Sequence, residues 1–359
     1  MSREKSSRLV VLLVVSVLAG CRSDGGGGEP ASPASPRAAT ELPNPFPAMS
    51  RPWGELPGGA EWGQVSAIAV DRDGRHLWVA DRCGAASCVG SDRATVLKLD
   101  PSGRVVTSFG AGLFIRPHGV FVDGDGNIWV TDHRDAGAAE LARAPEAAGR
   151  GQQVFKFSPE GEILLALGIA GEPGDPPARL NNPTDVIVAS DGHIFVSEGH
   201  SNANPPGRIS KFAPDGTFLM SWGTFGEGPG EFRTPHGLAF DSHGRLFVAD
   251  RGNNRVQIFD QAGRFLEEWR QFGRPNDVFI GGDDSMIVID SESSDEANPG
   301  YMRGIYIGSA RTGEVTGYVP AHPNDTPYGT HGEGVAVDAA GNLYVAEVSI
   351  RGMTRYSPR

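Results

Sequence analysis

PHGVFVDGDGNIWVTD, residues 117–132, returns as PHGLAFDSHGRLFVAD at residues 235–250. In both, an alternating apolar run meets a D-x-x-G turn and a second run closes on Asp, the pattern of two antiparallel strands. Four further copies follow the same plan: VSAIAVDRDGRHLWVAD from residue 65, PTDVIVASDGHIFVSE from 183, PNDVFIGGDDSMIVID from 275 and GEGVAVDAAGNLYVAE from 332. After most of them come a third and a fourth strand, clearest in QQVFKFSPEGEILLALG, RISKFAPDGTFLMSWG and NRVQIFDQAGRFLEEW. A four-stranded unit of this kind cannot bury both faces alone, so six copies predict an all-β, six-bladed β-propeller. Fifty glycines and 27 prolines in 359 residues agree with many short strands joined by tight turns.

The ring must also close. The last copy ends at MTRYSPR with a third strand and no fourth, while residues 45–54, PFPAMSRPWG, resemble the fourth strand and WG of FLMSWG. An N-terminal strand in the last blade is therefore expected, hiding two sheet edges at once. The acids that close the second strands, among them Asp132, Glu198, Asp250, Asp290 and Glu347, recur in nearly every blade. They read as turn-fixing groups that hydrogen-bond from blade to blade, without chemistry.

Before the repeats, residues 1–20 join a basic start, MSREKSSR, to an apolar run and LAG, with Cys21 next. This resembles a bacterial lipoprotein signal and makes Cys21 the lipidated residue of the mature chain. Residues 21–44, rich in Gly, Pro, Ala and Ser, read as a flexible tether, and 45–359 as the propeller. The expected location is the bacterial cell envelope, lipid-anchored and facing the periplasm or the exterior, as a monomer. In an oxidising compartment Cys83 and Cys88 are expected to pair as a disulfide; their CxxxxC spacing matches no common zinc motif. A net charge of −12 excludes a phosphate-tracking surface, so no nucleic-acid partner is expected.

The first strand of each blade lines the axis, and the residues at the equivalent opening position are Ser66, His118, Thr184, His236, Asn276 and Glu333. His118, His236 and Glu333 fall on blades two, four and six, about 120° apart around one channel. Two imidazoles and a carboxylate converging there suit a divalent metal with a position left for water or substrate. The plainer alternative is that P-x-G merely starts a strand and x touches channel water.

The blade pattern resembles the NHL repeat. The run from FIRPHGVFVDGDGNIWVTD through NPTDVIVASDGHIFVSEGHSNANPPGRI to TPHGLAFDSHGRLFVADRGNNRVQIF is similar to the peptidyl-α-hydroxyglycine α-amidating lyases. Members of that family are six-bladed propellers with zinc on the axis, which cleave a C-terminal α-hydroxyglycine to a peptide amide and glyoxylate. The resemblance implies zinc at His118 and His236. The family's third histidine is replaced by Glu333, with His331 two residues earlier as the alternative ligand; an oxygen donor would make the site harder and admit manganese or iron. It implies that Arg82 and Arg251 grip a substrate carboxylate, with a solvated turn as the plainer role for each. His200 stands where the family has its catalytic tyrosine and could serve as the base. The family's structural calcium uses an aspartate where this chain has Gly334, so no calcium is expected there, although the carbonyls of Ile68 and Val120 match its other ligands.

The implied function is a metal-dependent lyase-like enzyme acting on an α-hydroxy or carboxylate-bearing small molecule or peptide C-terminus. A non-enzymatic propeller binding protein or glycan is the alternative. A calcium-dependent lactonase would instead carry Glu, Asn and Asp on the axis, and the paired histidines count against it.

Overall fold

The structure is a computed structural model of the chain and describes residues 41–200, 206–322 and 332–358. The leader, Cys21 and the tether as far as residue 40 lie outside the described residues, as does His331. Six four-stranded antiparallel sheets are arranged as blades, five with their strands in chain order from the axis outward and the sixth with an N-terminal strand outermost. Their inner strands are Val65–Val70, Pro117–Val122, Pro183–Val188, Pro235–Phe240, Pro275–Ile280 and Gly332–Val337.

Blade six is completed by Ala48–Ser50, which pairs antiparallel with Gly352–Ser357 through Ala48↔Ser357, Met49↔Tyr356 and Ser50↔Arg355. Its flank is held by an Arg51–Glu347 ion pair at 2.9 Å and by the Trp53 ring, 4.8 Å from that of Tyr344. The N-terminal strand therefore closes the ring where the missing fourth strand predicted it.

Large apolar side chains fill the space between blades. Trp78, Trp129, Phe247 and Tyr306 are each almost wholly buried, and burial of such rings against the neighbouring sheet is the main term holding a propeller together.

The acids ending the second strands act inside their own blade rather than between blades. Asp132 accepts the backbone N–H groups of Ile115 and Arg116, Glu198 that of Asn181, Asp250 that of Arg233 and Asp290 that of Arg274. Each carboxylate thus caps the segment that enters the inner strand and sets where the axial residue begins.

At that point every inner strand breaks register with its neighbour. The break spans one residue in blades one, three, five and six, and two residues in blades two and four, between Pro117 and Val120 and between Pro235 and Leu238. A bulge re-aims the side chain it contains. Here the residues set free are His118 with Gly119, and His236 with Gly237.

The glycines have a separate cause. A Cβ on Gly119 would stand 2.5 Å from Asp185 Oδ1, and one on Gly237 would stand 2.2 Å from Asp277 Oδ1 and 2.8 Å from the Asp277 Cα. The next blade's inner strand simply comes too close. Gly237→Ala is expected to cost about 1–3 kcal/mol of stability through overpacking, read as a lower midpoint in urea unfolding; an unchanged midpoint would mean the close approach carries no such constraint.

Candidate metal centre on the propeller axis

The alternation of residue types along the axis has a structural reason. On blades one and three the short hydroxyls staple neighbouring blades: Ser66 Oγ donates to the Pro117 carbonyl at 2.9 Å and Thr184 Oγ1 to the Pro235 carbonyl at 2.8 Å. On blades two and four the longer imidazoles face inward. His118 Nδ1 lies 2.9 Å from the Thr184 carbonyl oxygen and His236 Nδ1 lies 2.7 Å from that of Asn276. A carbonyl only accepts, so both Nδ1 atoms carry the proton and both Nε2 atoms present a lone pair. Fixing the far ring nitrogen in this way is how proteins orient metal-binding histidines.

Both Nε2 atoms are buried and have no hydrogen-bond partner. Orphaned buried acceptors are costly and call for a reason. Glu333 supplies the next clue. Its Oε2 lies 3.3 Å from His236 Nε2 and 3.3 Å from Asn276 Nδ2. A lone pair and a carboxylate oxygen face one another at that distance without a hydrogen bond between them. Two ligands of one tetrahedral ion stand about 3.3–3.4 Å apart when each bond is about 2.0–2.1 Å. The residues fit a divalent cation.

His200 joins them. The ligand atoms of His118, His200 and His236 all lie within 4.8 Å of one another, and the His118 ring is 4.6 Å from that of His236 and 4.9 Å from that of His200. His200 Nε2 accepts a hydrogen bond from Arg251 Nη2 at 3.1 Å.

A fourth imidazole, His133, stacks edge-on to His118 at 5.0 Å and lies 5.0 Å from His200, with its Nδ1 held by the Arg116 carbonyl at 3.1 Å. It is the residue after the acid closing the second strand of blade two. Arg82 and Arg251 occupy that same corner in blades one and four, so the repeat alignment could have found it.

Burial, reinforced by mutual repulsion and by Arg82 and Arg251, holds His118 well below the ordinary imidazole range. His236, His200 and His133 are lowered likewise, each first by burial. All four are therefore neutral donors of lone pairs at neutral pH. Burial pushes the Glu333 carboxyl up, opposed by Arg251 and Arg82.

Arg251 is buried and pairs with Glu292 at 3.1 Å, with Glu333 Oε2 at 3.8 Å. Arg82, also buried, donates to the Pro117 carbonyl and to Gln64 Oε1. Cys83 and Cys88, beside Arg82, are disulfide-bonded.

Beneath the histidines the channel opens into a cavity of about 490 Å³ lined by the inner strands of all six blades. Asp185 and Asp277 stand in its wall. Each accepts the backbone N–H of the next even-numbered blade, Leu238 and Val335, at 2.9 Å, so they read as staples.

Comparison with known proteins agrees with the ring. A model of the NHL repeat matches residues 232–259. Peptidyl-glycine alpha-amidating monooxygenase B of Xenopus laevis is 31% identical over 329 residues, covering 82% of this chain and 34% of the relative. The probable peptidyl-alpha-hydroxyglycine alpha-amidating lyase of Caenorhabditis elegans is 34% identical over 217 residues, 55% of this chain and 56% of the relative. The chain thus spans about a third of the first protein and about half of the second. Among solved structures, a gluconolactonase from Xanthomonas campestris superposes with a TM-score of 0.56 at 18% identity, covering 92% of this chain and 99% of the other; that likeness concerns the fold alone.

Proposed function

Because the chain is an NHL-repeat six-bladed β-propeller resembling the peptidyl-α-hydroxyglycine α-amidating lyases, we propose that it is a metal-dependent carbon–nitrogen lyase of the cell envelope. Its substrate is an α-hydroxy compound bearing a carboxylate, such as a C-terminal α-hydroxyglycine. One observation carries the reading: two buried imidazoles on alternate blades, each locked by its Nδ1–H, present orphaned Nε2 lone pairs to the same axial point.

His118, His236 and Glu333 would hold the metal, and the nitrogen-rich set suits zinc. When bound, such an ion supplies Lewis-acid polarisation of the substrate oxygens. The remaining work falls to the chain. Arg82 and Arg251 neutralise the substrate carboxylate. His200 gives up its hydrogen bond from Arg251 and accepts the proton of the substrate hydroxyl. The C–O bond becomes a carbonyl, the C–N bond breaks, and the departing amide nitrogen takes up a proton. The buried walls keep bulk water from competing.

The test is release of glyoxylate from an α-hydroxyglycine peptide by residues 45–359. Chelator-treated protein should be inactive and zinc should restore turnover, while His200→Ala in the metal-loaded protein should lower kcat by about 10²-fold or more. Metal-loaded protein that releases no glyoxylate would overturn the lyase reading in favour of a binding module.

A further inference from the structure

Three guanidinium groups act on the histidine cluster, and they are not equivalent. Arg251 has its countercharge within the protein, from Glu292 and Glu333. Arg134, a neighbour, is neutralised by Glu140 at 2.7 Å. Arg82 and Arg116 are different. Among the described residues neither has a carboxylate oxygen within 4.0 Å of its side-chain nitrogens.

Arg82 spends Nε and Nη1 on neutral acceptors, the Pro117 carbonyl at 3.1 Å and Gln64 Oε1 at 2.9 Å. Arg116 is half-buried, and its Nε is buried with no hydrogen-bond partner at all. The two lie together: Arg116 immediately precedes Pro117, whose carbonyl anchors Arg82, and the Arg116 carbonyl anchors His133. Both guanidinium groups act electrostatically on His133 and His200, and burial followed by repulsion from Arg116 brings Arg82 down to about 9.

Two adjacent cations, Arg82 buried and Arg116 half-buried, that touch no carboxylate among the described residues and feel only the longer-range attraction of Glu333, Asp132 and Glu140 are expensive. They occur here in a chain of net charge −12, where a neutralising Asp or Glu was available by composition. A ligand that brings the negative charge accounts for their retention.

We propose that Arg116 is a ligand-binding residue that, with Arg82, forms a two-guanidinium pocket for the carboxylate of a small α-hydroxy or α-oxo acid bound beside the histidines. Arg251, already paired, contributes less to that carboxylate than the corner position it shares with Arg82 suggests. The assignment rests on the lyase reading and deepens it by naming Arg116 as a further residue that holds the substrate's carboxylate, yet anion binding does not require the metal.

The probe is glyoxylate, titrated calorimetrically into chelator-treated residues 45–359, with glycolaldehyde as the uncharged counterpart. Wild-type protein should bind glyoxylate and bind glycolaldehyde far more weakly. Arg116→Gln and Arg82→Gln should each weaken glyoxylate binding by at least about tenfold, Arg116→Lys should restore part of it, and Arg134→Gln should leave it unchanged. Arg116→Gln should keep the wild-type unfolding midpoint, since that side chain makes no hydrogen bond among the described residues.

Unchanged glyoxylate affinity in Arg116→Gln would overturn the proposal. So would absent binding by wild type, or equal losses for glyoxylate and glycolaldehyde. Loss of lyase activity with anion binding intact would instead count against the catalytic reading alone.

Discussion

His118→Ala and His236→Ala should each lower affinity for zinc by at least about 100-fold while leaving the propeller folded. The magnitude is a lower bound, because removing only the groups that orient a ligand already costs about 10–100-fold. For His118→Ala, folding should survive because the Thr184 carbonyl that His118 engages also accepts a hydrogen bond from Thr131 Oγ1 at 3.0 Å, so that acceptor is not orphaned by the change. Glu333→Gln keeps the shape and the Asn276 contact but removes the charge, and should also weaken zinc binding. His243→Ala, with a side chain 67% exposed on the turn between the first two strands of blade four, should change nothing. Elemental analysis after dialysis against zinc reads all four variants. Full occupancy in both histidine variants would remove the axial site from consideration.

Deleting residues 45–54 should have the largest effect on stability. The deletion removes the strand that covers Gly352–Ser357, the Arg51–Glu347 ion pair and the Trp53 ring seated on Tyr344. It exposes the edge of Gly352–Ser357, which Ala48–Ser50 otherwise covers, and a newly exposed edge invites association between chains. Trp53→Ala keeps the strand and loses only the packing, with an expected cost of about 3–5 kcal/mol. The deletion should cost more than that and make the protein aggregate during urea unfolding. A deletion variant as stable as the parent, and still monomeric by light scattering, would mean that the seam is not what holds the ring shut.

Much of this was legible because a propeller repeats itself. Once PHGVFVDGDGNIWVTD and PHGLAFDSHGRLFVAD are aligned, the glycine turns count the blades and the axial positions follow by equivalence. The missing fourth strand pointed to residues 45–54 for the same reason, since a sheet edge must be covered. Harder to read was anything decided between blades. No local pattern announces the two-residue register breaks that free His118 and His236, nor the approach of Asp185 and Asp277 on the next strands that requires Gly119 and Gly237. The role of the second-strand acids was misplaced because a repeat reveals that a group recurs, not which neighbour it serves. His133 and Arg116 stand one residue outside the strands they flank, where the alternation ends; the corner equivalence with Arg82 and Arg251 offered a lead to His133 and none to Arg116.

X-ray absorption at the zinc edge of the reconstituted full chain tests the axial site most directly. The account predicts a nitrogen and oxygen first shell at about 2.0–2.1 Å with outer-shell scattering from at least two imidazoles, lost in the His118→Ala, His236→Ala double variant. A sulfur shell, an oxygen-only shell, or a spectrum unchanged in the double variant would contradict it.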